Sequence, residues 1–164
     1  MKSFKKFKIE FINTLNLISE YKFYDCIKML KDLRKKGGRL FIIGVGGSAA
    51  NASHAVNDFR KICNIEAYCP SDNVSELTAR TNDDGFEYIF EDWFKTSKVN
   101  KKDLILIFSV GGGDLKKKIS VNIVNALKYA NKNKIKSICF VGKKDGYAFK
   151  NSSLSLCFNV NNKK

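Results

Sequence analysis

Apolar residues recur every three or four positions across residues 4–19 and again across 22–36, as in Phe7, Phe11, Leu15 and Ile18, then Phe23, Ile27, Leu30 and Leu33. That spacing predicts two amphipathic helices. Gly37-Gly38 supplies the stop signal for the second. The period then changes. "RLFIIGV" (39–45), "DLILIFSV" (103–110), "KSICFVG" (136–142) and "SLSLCFNV" (153–160) are short runs rich in β-branched and aromatic residues. Near-continuous apolar runs suit strands buried on both faces, as in a parallel sheet. "EAYCP" (66–70) is a shorter candidate strand, stopped by Pro70. Helical patterns separate these runs over about 48–63, 74–81, 85–97 and 120–133. Strand and helix in alternation predict an α/β domain with right-handed crossovers. The two leading helices carry wide apolar faces and precede any strand. Packing between subunits would bury those faces, which predicts a homo-oligomer.

Two strand-to-helix junctions carry the candidate chemistry. In "RLFIIGVGGSAANASHAVNDFRK" (39–61), Gly44, Gly46, Gly47 and Ser48 end a strand and open a helix. Glycines there let backbone N–H groups approach a ligand, and a helix N-terminus favours an anion. Ser48 is placed to cap that helix and to donate its hydroxyl to a phosphate. An ordinary tight turn has the same composition, so this junction alone leaves both readings open. It is neither the dinucleotide fingerprint, which needs glycine where Ala49 stands, nor a P-loop, since no Gly-Lys-Ser/Thr follows. "FSVGGGDLKKKISVNIVNAL" repeats the theme: Ser109 ends a strand, Gly111, Gly112 and Gly113 form a loop, and Ser120 stands as the cap of the next helix. Both turns fall at the C-terminal ends of strands, where open α/β sheets bind ligands. A third turn, "VGKKDGY", reads as structural.

His54, the only histidine, lies four residues before Asp58, so the two share one helix face. Such a pair can shuttle a proton or contribute to a metal site. A local hydrogen bond on a helix surface is the plainer reading, and a metal needs more ligands than the pair supplies.

Composition narrows the class. The chain has 164 residues and a hydrophobic fraction of 44%, enough for one domain with one core. No apolar run approaches a membrane span, and the N-terminus does not read as a secretory signal. The five cysteines, Cys26, Cys63, Cys69, Cys139 and Cys157, form no CxxC pair and read as buried reduced thiols. The net charge of +14 is spread over helix faces and turns rather than woven through aromatic residues. This argues for a solvated surface, or a mild attraction for acidic ligands, and against a nucleic-acid interface.

"GVGGSAANASHAVNDF" together with "IFSVGGGD" and the later serine resembles the sugar isomerase (SIS) domain, and more narrowly its phosphoheptose isomerase branch, the sedoheptulose 7-phosphate isomerases. "LTARTNDDGFEYIF" stands where those enzymes carry a Gly-Asn-Asp segment before a helix. The resemblance spans nearly the whole chain. It implies a three-layer Rossmann-like (SIS) fold, with a five-stranded parallel sheet flanked by helices and preceded by two N-terminal helices. It also implies a single domain over 1–164, with residues 1–37 packing in the oligomer and 38–160 forming the sheet core. The implied protein is a cytoplasmic homotetramer or dimer with sites at subunit interfaces. It isomerises sedoheptulose 7-phosphate in heptose biosynthesis for surface polysaccharides. Zinc is the metal implied, and no nucleotide cofactor or membrane partner is expected. By the same resemblance, Gly46, Gly47, Ser48, Ser109, Gly111, Gly112 and Ser120 hold phosphate, while Asn82 and Asp83 lie near the substrate. His54 and Asp58 are the catalytic and metal-binding pair.

The chain also departs from the pattern. Val45 replaces an asparagine, Val110 and Gly111 replace a threonine and a serine, and the second loop is longer, bringing Asp114 near the expected phosphate. Asp58 stands for a glutamate. The family's last helix, with a glutamine and a second histidine, has no counterpart within the 164 residues. The alternative function is therefore a non-catalytic module that binds a phosphosugar or docks a protein.

Overall fold

A computed structural model of the chain describes residues 2–159. Met1 and residues 160–164 lie outside the described residues, including the last position of the strand predicted over 153–160. The elements run α1 (Lys2–Asn16), α2 (Glu20–Lys35), β1 (Leu40–Gly44), α3 (Gly47–Lys61), β2 (Ala67–Tyr68), a 3-10 turn (Pro70–Asp72), α4 (Val74–Asp83), α5 (Ile89–Thr96), β3 (Leu104–Ser109), α6 (Val121–Lys132), β4 (Lys136–Val141), α7 (Tyr147–Asn151) and β5 (Leu154–Cys157). The five strands form one parallel sheet in the order β2-β1-β3-β4-β5. The α/β expectation and the five-stranded parallel sheet are borne out.

Side chains of successive strand residues point to opposite faces, and both faces are covered. Phe41, Ile43, Ile105, Ile107, Cys139 and Val141 pack against Ile89, Phe90, Trp93 and Phe94 of α5, Ile123 and Leu127 of α6, and Ala148 of α7. Leu40, Ile42, Leu104, Leu106, Ile138 and Leu156 pack against Cys26 and Leu33 of α2 and Ala52 and Val56 of α3. This double burial is why the strands read as unbroken apolar runs. Cys26, Cys69 and Cys139 are buried free thiols. Burial pushes the Cys26 thiol up to about 11, which leaves it protonated and unreactive at neutral pH.

Helix α2 ends as its glycines dictate. Gly37 takes φ 62, and the Gly38 N–H donates back to the Leu33 carbonyl at 3.1 Å. Helix α7 was not anticipated, because five residues are too few to show a period. Its N-terminal amides donate to the second glycine turn, Tyr147 N to Gly113 O at 2.9 Å and Ala148 N to Gly112 O at 2.7 Å. The third glycine turn is therefore structural, and it braces the second.

At the N-terminal edge of the sheet, Asp103 is 5% exposed and accepts from the Arg39 backbone N–H, the Arg39 guanidinium and the Asn100 N–H. This ties the start of β3 to the start of β1. No described helix is long and apolar enough to cross a membrane. Helix α1 leaves Phe4, Phe7, Phe11, Ile12 and Leu15 exposed along one side, and Phe7 stacks on Phe11.

Candidate active site

Strand order places a topological switch between β1 and β3: the chain runs from β1 to β2 on one side, then returns to add β3 on the other. In open α/β sheets that is where the loops diverge and leave a crevice at the carboxyl ends of the strands. Both predicted glycine turns open there. Ser48 and Ser109 line one cleft of about 250 Å³, together with Asn51, Phe108, Val110, Phe140, Val141, Gly142 and Phe158.

The first turn is built by close approach. A Cβ on Gly44 would sit 2.5 Å from the Ser48 carbonyl oxygen, so only glycine lets the end of β1 lie against the first turn of α3. Gly46 then takes φ 60, ψ −125, a region open to glycine. The cap position belongs to Gly46, so the expectation that Ser48 caps the helix is corrected. Helix α3 begins at Gly47, and Ser48 sits in its first turn with its hydroxyl not committed to capping. The Ser48 and Ala49 amides turn back to Val45 and Gly46, while the Gly46 and Gly47 N–H groups lie at the positive end of the helix.

In the second turn, Ser109 Oγ accepts from the Gly112 N–H at 3.0 Å. That bond orients the serine and leaves its hydroxyl proton for a ligand, but it uses the Gly112 amide that was expected to face phosphate. Gly111 stays exposed. The longer loop is a small hairpin in which Asp114 and Ile119 exchange backbone hydrogen bonds of 2.8 and 2.9 Å. Asp114 accepts from the backbone N–H groups of Lys116 and Lys117, and its carboxyl is held below the usual range, first by the Lys117 N–H bond. Its charge is thus directed into the hairpin rather than toward the Ser48–Ser109 cleft. Ser120 does precede α6, but with φ 46, ψ 47 and no side-chain capping bond, because left-handed backbone turns its hydroxyl away from the helix amides. It lines a neighbouring cavity rather than the Ser48–Ser109 cleft.

One flank of α3 carries a row that sequence reasoning saw only in part. At 100° per residue, Asn51, His54 and Asp58 fall within about 60° of one another, and Ser48 lies between that flank and the face of buried Ala52 and Val56. His54 Nε2 lies 3.4 Å from Asp58 Oδ2, with side chains 78% and 46% exposed. Asn51 was missed, although its spacing of three from both Ser48 and His54 was the available signal. Asn82 and Asp83 end α4, both exposed, with the Asn82 amide donating to the Asp83 carboxylate at 2.8 Å. Neither lines the Ser48–Ser109 cleft. Zinc in a catalytic site takes three protein ligands. His54 and Asp58 supply two, and among the described residues no third histidine, cysteine or carboxylate joins them. Within one chain this donor set does not fit a zinc centre.

No family model matches the sequence. A phosphoheptose isomerase from Campylobacter concisus is 30% identical over 134 residues, an alignment that covers 79% of this chain and 67% of that protein. This chain belongs to the phosphoheptose isomerase family. A second member, from Thermodesulfovibrio yellowstonii, is 29% identical over 139 residues, covering 77% of this chain and 66% of that protein. The chain spans about half to two thirds of the length of the phosphoheptose isomerases it matches. The solved phosphoheptose isomerase GmhA from Neisseria gonorrhoeae shares the fold, with a TM-score of 0.81 at 22% identity over 96% of this chain and 83% of that one. The phosphoheptose isomerase fold thus accounts for both leading helices as well as the sheet.

Proposed function

We propose that this chain is an aldose–ketose isomerase acting on a phosphorylated sugar of the sedoheptulose 7-phosphate class, in the cytoplasm and in the service of heptose biosynthesis. The observation that carries the reading is the meeting of Ser48 and Ser109, from the tips of adjacent parallel strands, in one cleft at the switch point.

The reaction moves a proton between neighbouring carbons through an enediol. It needs a base, an acid and a partner for the oxyanion. Along α3, at 1.5 Å per residue, His54 stands roughly 9 Å beyond Ser48 and Asp58 roughly 15 Å. An extended sugar phosphate held at the turns therefore reaches along the row toward His54 and Asp58. Asp58 acts as the base and returns the proton to the adjacent carbon, and His54 orients it and donates to the developing oxyanion. Both side chains face open water in one chain. A second subunit closing over α3 would exclude that water and strengthen their interactions.

Helices α1 and α2 supply the surface for such an assembly. Phe7 and Phe11 are 61% and 56% exposed, part of an apolar stripe with no cover among the described residues. A homo-oligomer, dimer or tetramer, buries it. The double variant Phe7→Asp/Phe11→Asp is expected to shift the protein to monomer in light scattering while circular dichroism stays unchanged. A monomeric wild type contradicts the assignment.

The deciding assay is incubation with sedoheptulose 7-phosphate in D2O, followed by NMR. Turnover with deuterium entering the carbon next to the carbonyl supports the isomerase. Ser48→Ala is expected to raise KM about tenfold, the worth of one hydrogen bond to a charged group. A second reading, a phosphosugar-binding module without turnover, is favoured by one observation: His54 is the chain's only histidine. Binding without exchange or turnover selects it.

A further inference from the structure

The segments that lead into the three central strands are "KKGGR" (35–39) before β1, "SKVNKKD" (97–103) before β3 and "KNKIK" (132–136) before β4. They hold eight lysines, and beyond these only Arg39 and Asp103 carry charge. Leu40, Leu104 and Lys136 are register partners, so the segments emerge side by side, about 4.8 Å from strand to strand. The lysines therefore share one edge of the sheet, at the strand ends opposite the Ser48–Ser109 cleft. All eight are exposed. Lys36, Lys101, Lys102 and Lys136 ring a hollow of about 80 Å³ on that edge.

Little nearby neutralises them. Among the described residues, none of the eight makes an ion pair. The buried Asp103 carboxylate is filled by Arg39 and Asn100, which leaves Asp32 as the other acid at the hollow. Glu66, just before β2, accepts from the Tyr68 hydroxyl at 2.7 Å. Helices α2, α5 and α6 also end at this edge, and each C-terminus carries about half a negative charge. Three such ends amount to about 1.5 charges, far fewer than the lysines supply.

The side chains present define the kind of partner. Arg39, the one arginine in the three segments, gives its guanidinium to Asp103 and to the Ser97 and Lys98 carbonyls, so it has no fork to offer a base edge. Val99 and Ile135, the large apolar side chains of these segments, are 5% and 2% exposed. They cannot stack on a nucleic-acid base or anchor in the pocket of a folded protein. The edge presents flexible, strongly hydrated ammonium groups, which suit a plane of diffuse negative charge.

We infer that this lysine edge docks on an anionic lipid bilayer. The contact is electrostatic and lies at the headgroup surface, and it departs from the expectation of no membrane partner. It leaves the carboxyl ends of the strands, with Ser48 and Ser109, facing water and open to a soluble substrate.

The test is co-sedimentation of the full chain with vesicles of phosphatidylcholine alone, or of phosphatidylcholine with about one third phosphatidylglycerol. Wild type is expected to bind only the anionic vesicles and to be released by salt. Each lysine near such a surface strengthens partitioning roughly fivefold, so Lys101→Gln/Lys102→Gln/Lys136→Gln is expected to weaken binding about 10²-fold. A control with the same change of charge at the opposite edge, Lys116→Gln/Lys143→Gln/Lys144→Gln, is expected to bind as wild type does. These are exposed side chains, and unchanged circular dichroism checks that both variants fold. No binding to anionic vesicles by the wild type overturns the inference. So does an equal loss in both variants, which assigns binding to net charge, and so does tighter edge-dependent binding to duplex DNA than to vesicles at the same salt. Vesicle binding is read without turnover, so this docking stands or falls apart from the isomerase.

Discussion

Replacing Asp58 with asparagine is expected to lower kcat by about 10²–10⁴-fold, the usual contribution of a general base, while KM for the phosphosugar changes little. The asymmetry follows from where Asp58 sits. It lies ten residues along α3 from Ser48, and so is remote from the turns. The substitution keeps the side chain's shape and its hydrogen bond from Asn57 can still be accepted by the amide oxygen, so the helix is not disturbed. Asp58 is half-exposed, and its loss leaves no buried orphan. Deuterium exchange at the reacting carbon should fall in step with kcat, since both need the proton removed. His54→Gln should cost less in exchange than in net turnover if histidine orients the base and meets the oxyanion rather than removing the proton itself. An Asp58→Asn variant that still exchanges and isomerises at the wild-type rate would move the base elsewhere, and the α3 row would then be no more than a polar helix flank.

The strands were legible because burial on both faces erases alternation and leaves runs such as Leu40–Ile43 and Leu104–Ile107. The two glycine junctions were legible because a strand, glycines and a serine in order have few structural solutions. Other features depend on choices that the letters leave open. Ser48 read as the cap, and only the backbone at φ 60, ψ −125 assigns the cap to Gly46 instead. Ser120 precedes α6 as expected, but its left-handed backbone places it in a different cavity from Ser109. Asn122 reads as an ordinary polar residue in an amphipathic helix until its burial is seen. The contact between Arg39 and Asp103 joins residues 64 apart in sequence, with no local signature in either segment.

That contact sets the largest stability effect expected from one side chain. Asp103→Ala should cost about 3–5 kcal/mol, the range for removing one partner of a buried ion pair, out of a total of roughly 5–15 kcal/mol for a domain of this kind. The carboxylate does four things at once. It accepts the Arg39 backbone N–H at 3.0 Å, Arg39 Nε at 3.2 Å, Arg39 Nη2 at 2.8 Å and the Asn100 N–H at 2.9 Å. Alanine leaves two backbone donors and part of a guanidinium without acceptors at a position that is 5% exposed. It also frees the α5–β3 loop, since the same guanidinium donates to the Ser97 and Lys98 carbonyls and would lose its anchor. Asp103→Asn keeps one acceptor and should fall between alanine and wild type in urea unfolding. Ser109 lies six residues further along the chain, roughly 20 Å at strand rise, at the opposite edge of the sheet. Phosphate binding per folded molecule, measured well below the new midpoint, should therefore match wild type. A stability loss under 1 kcal/mol would mean that water satisfies these groups, and a loss of binding at full folding would mean that the two edges of the sheet are coupled through β1 and β3.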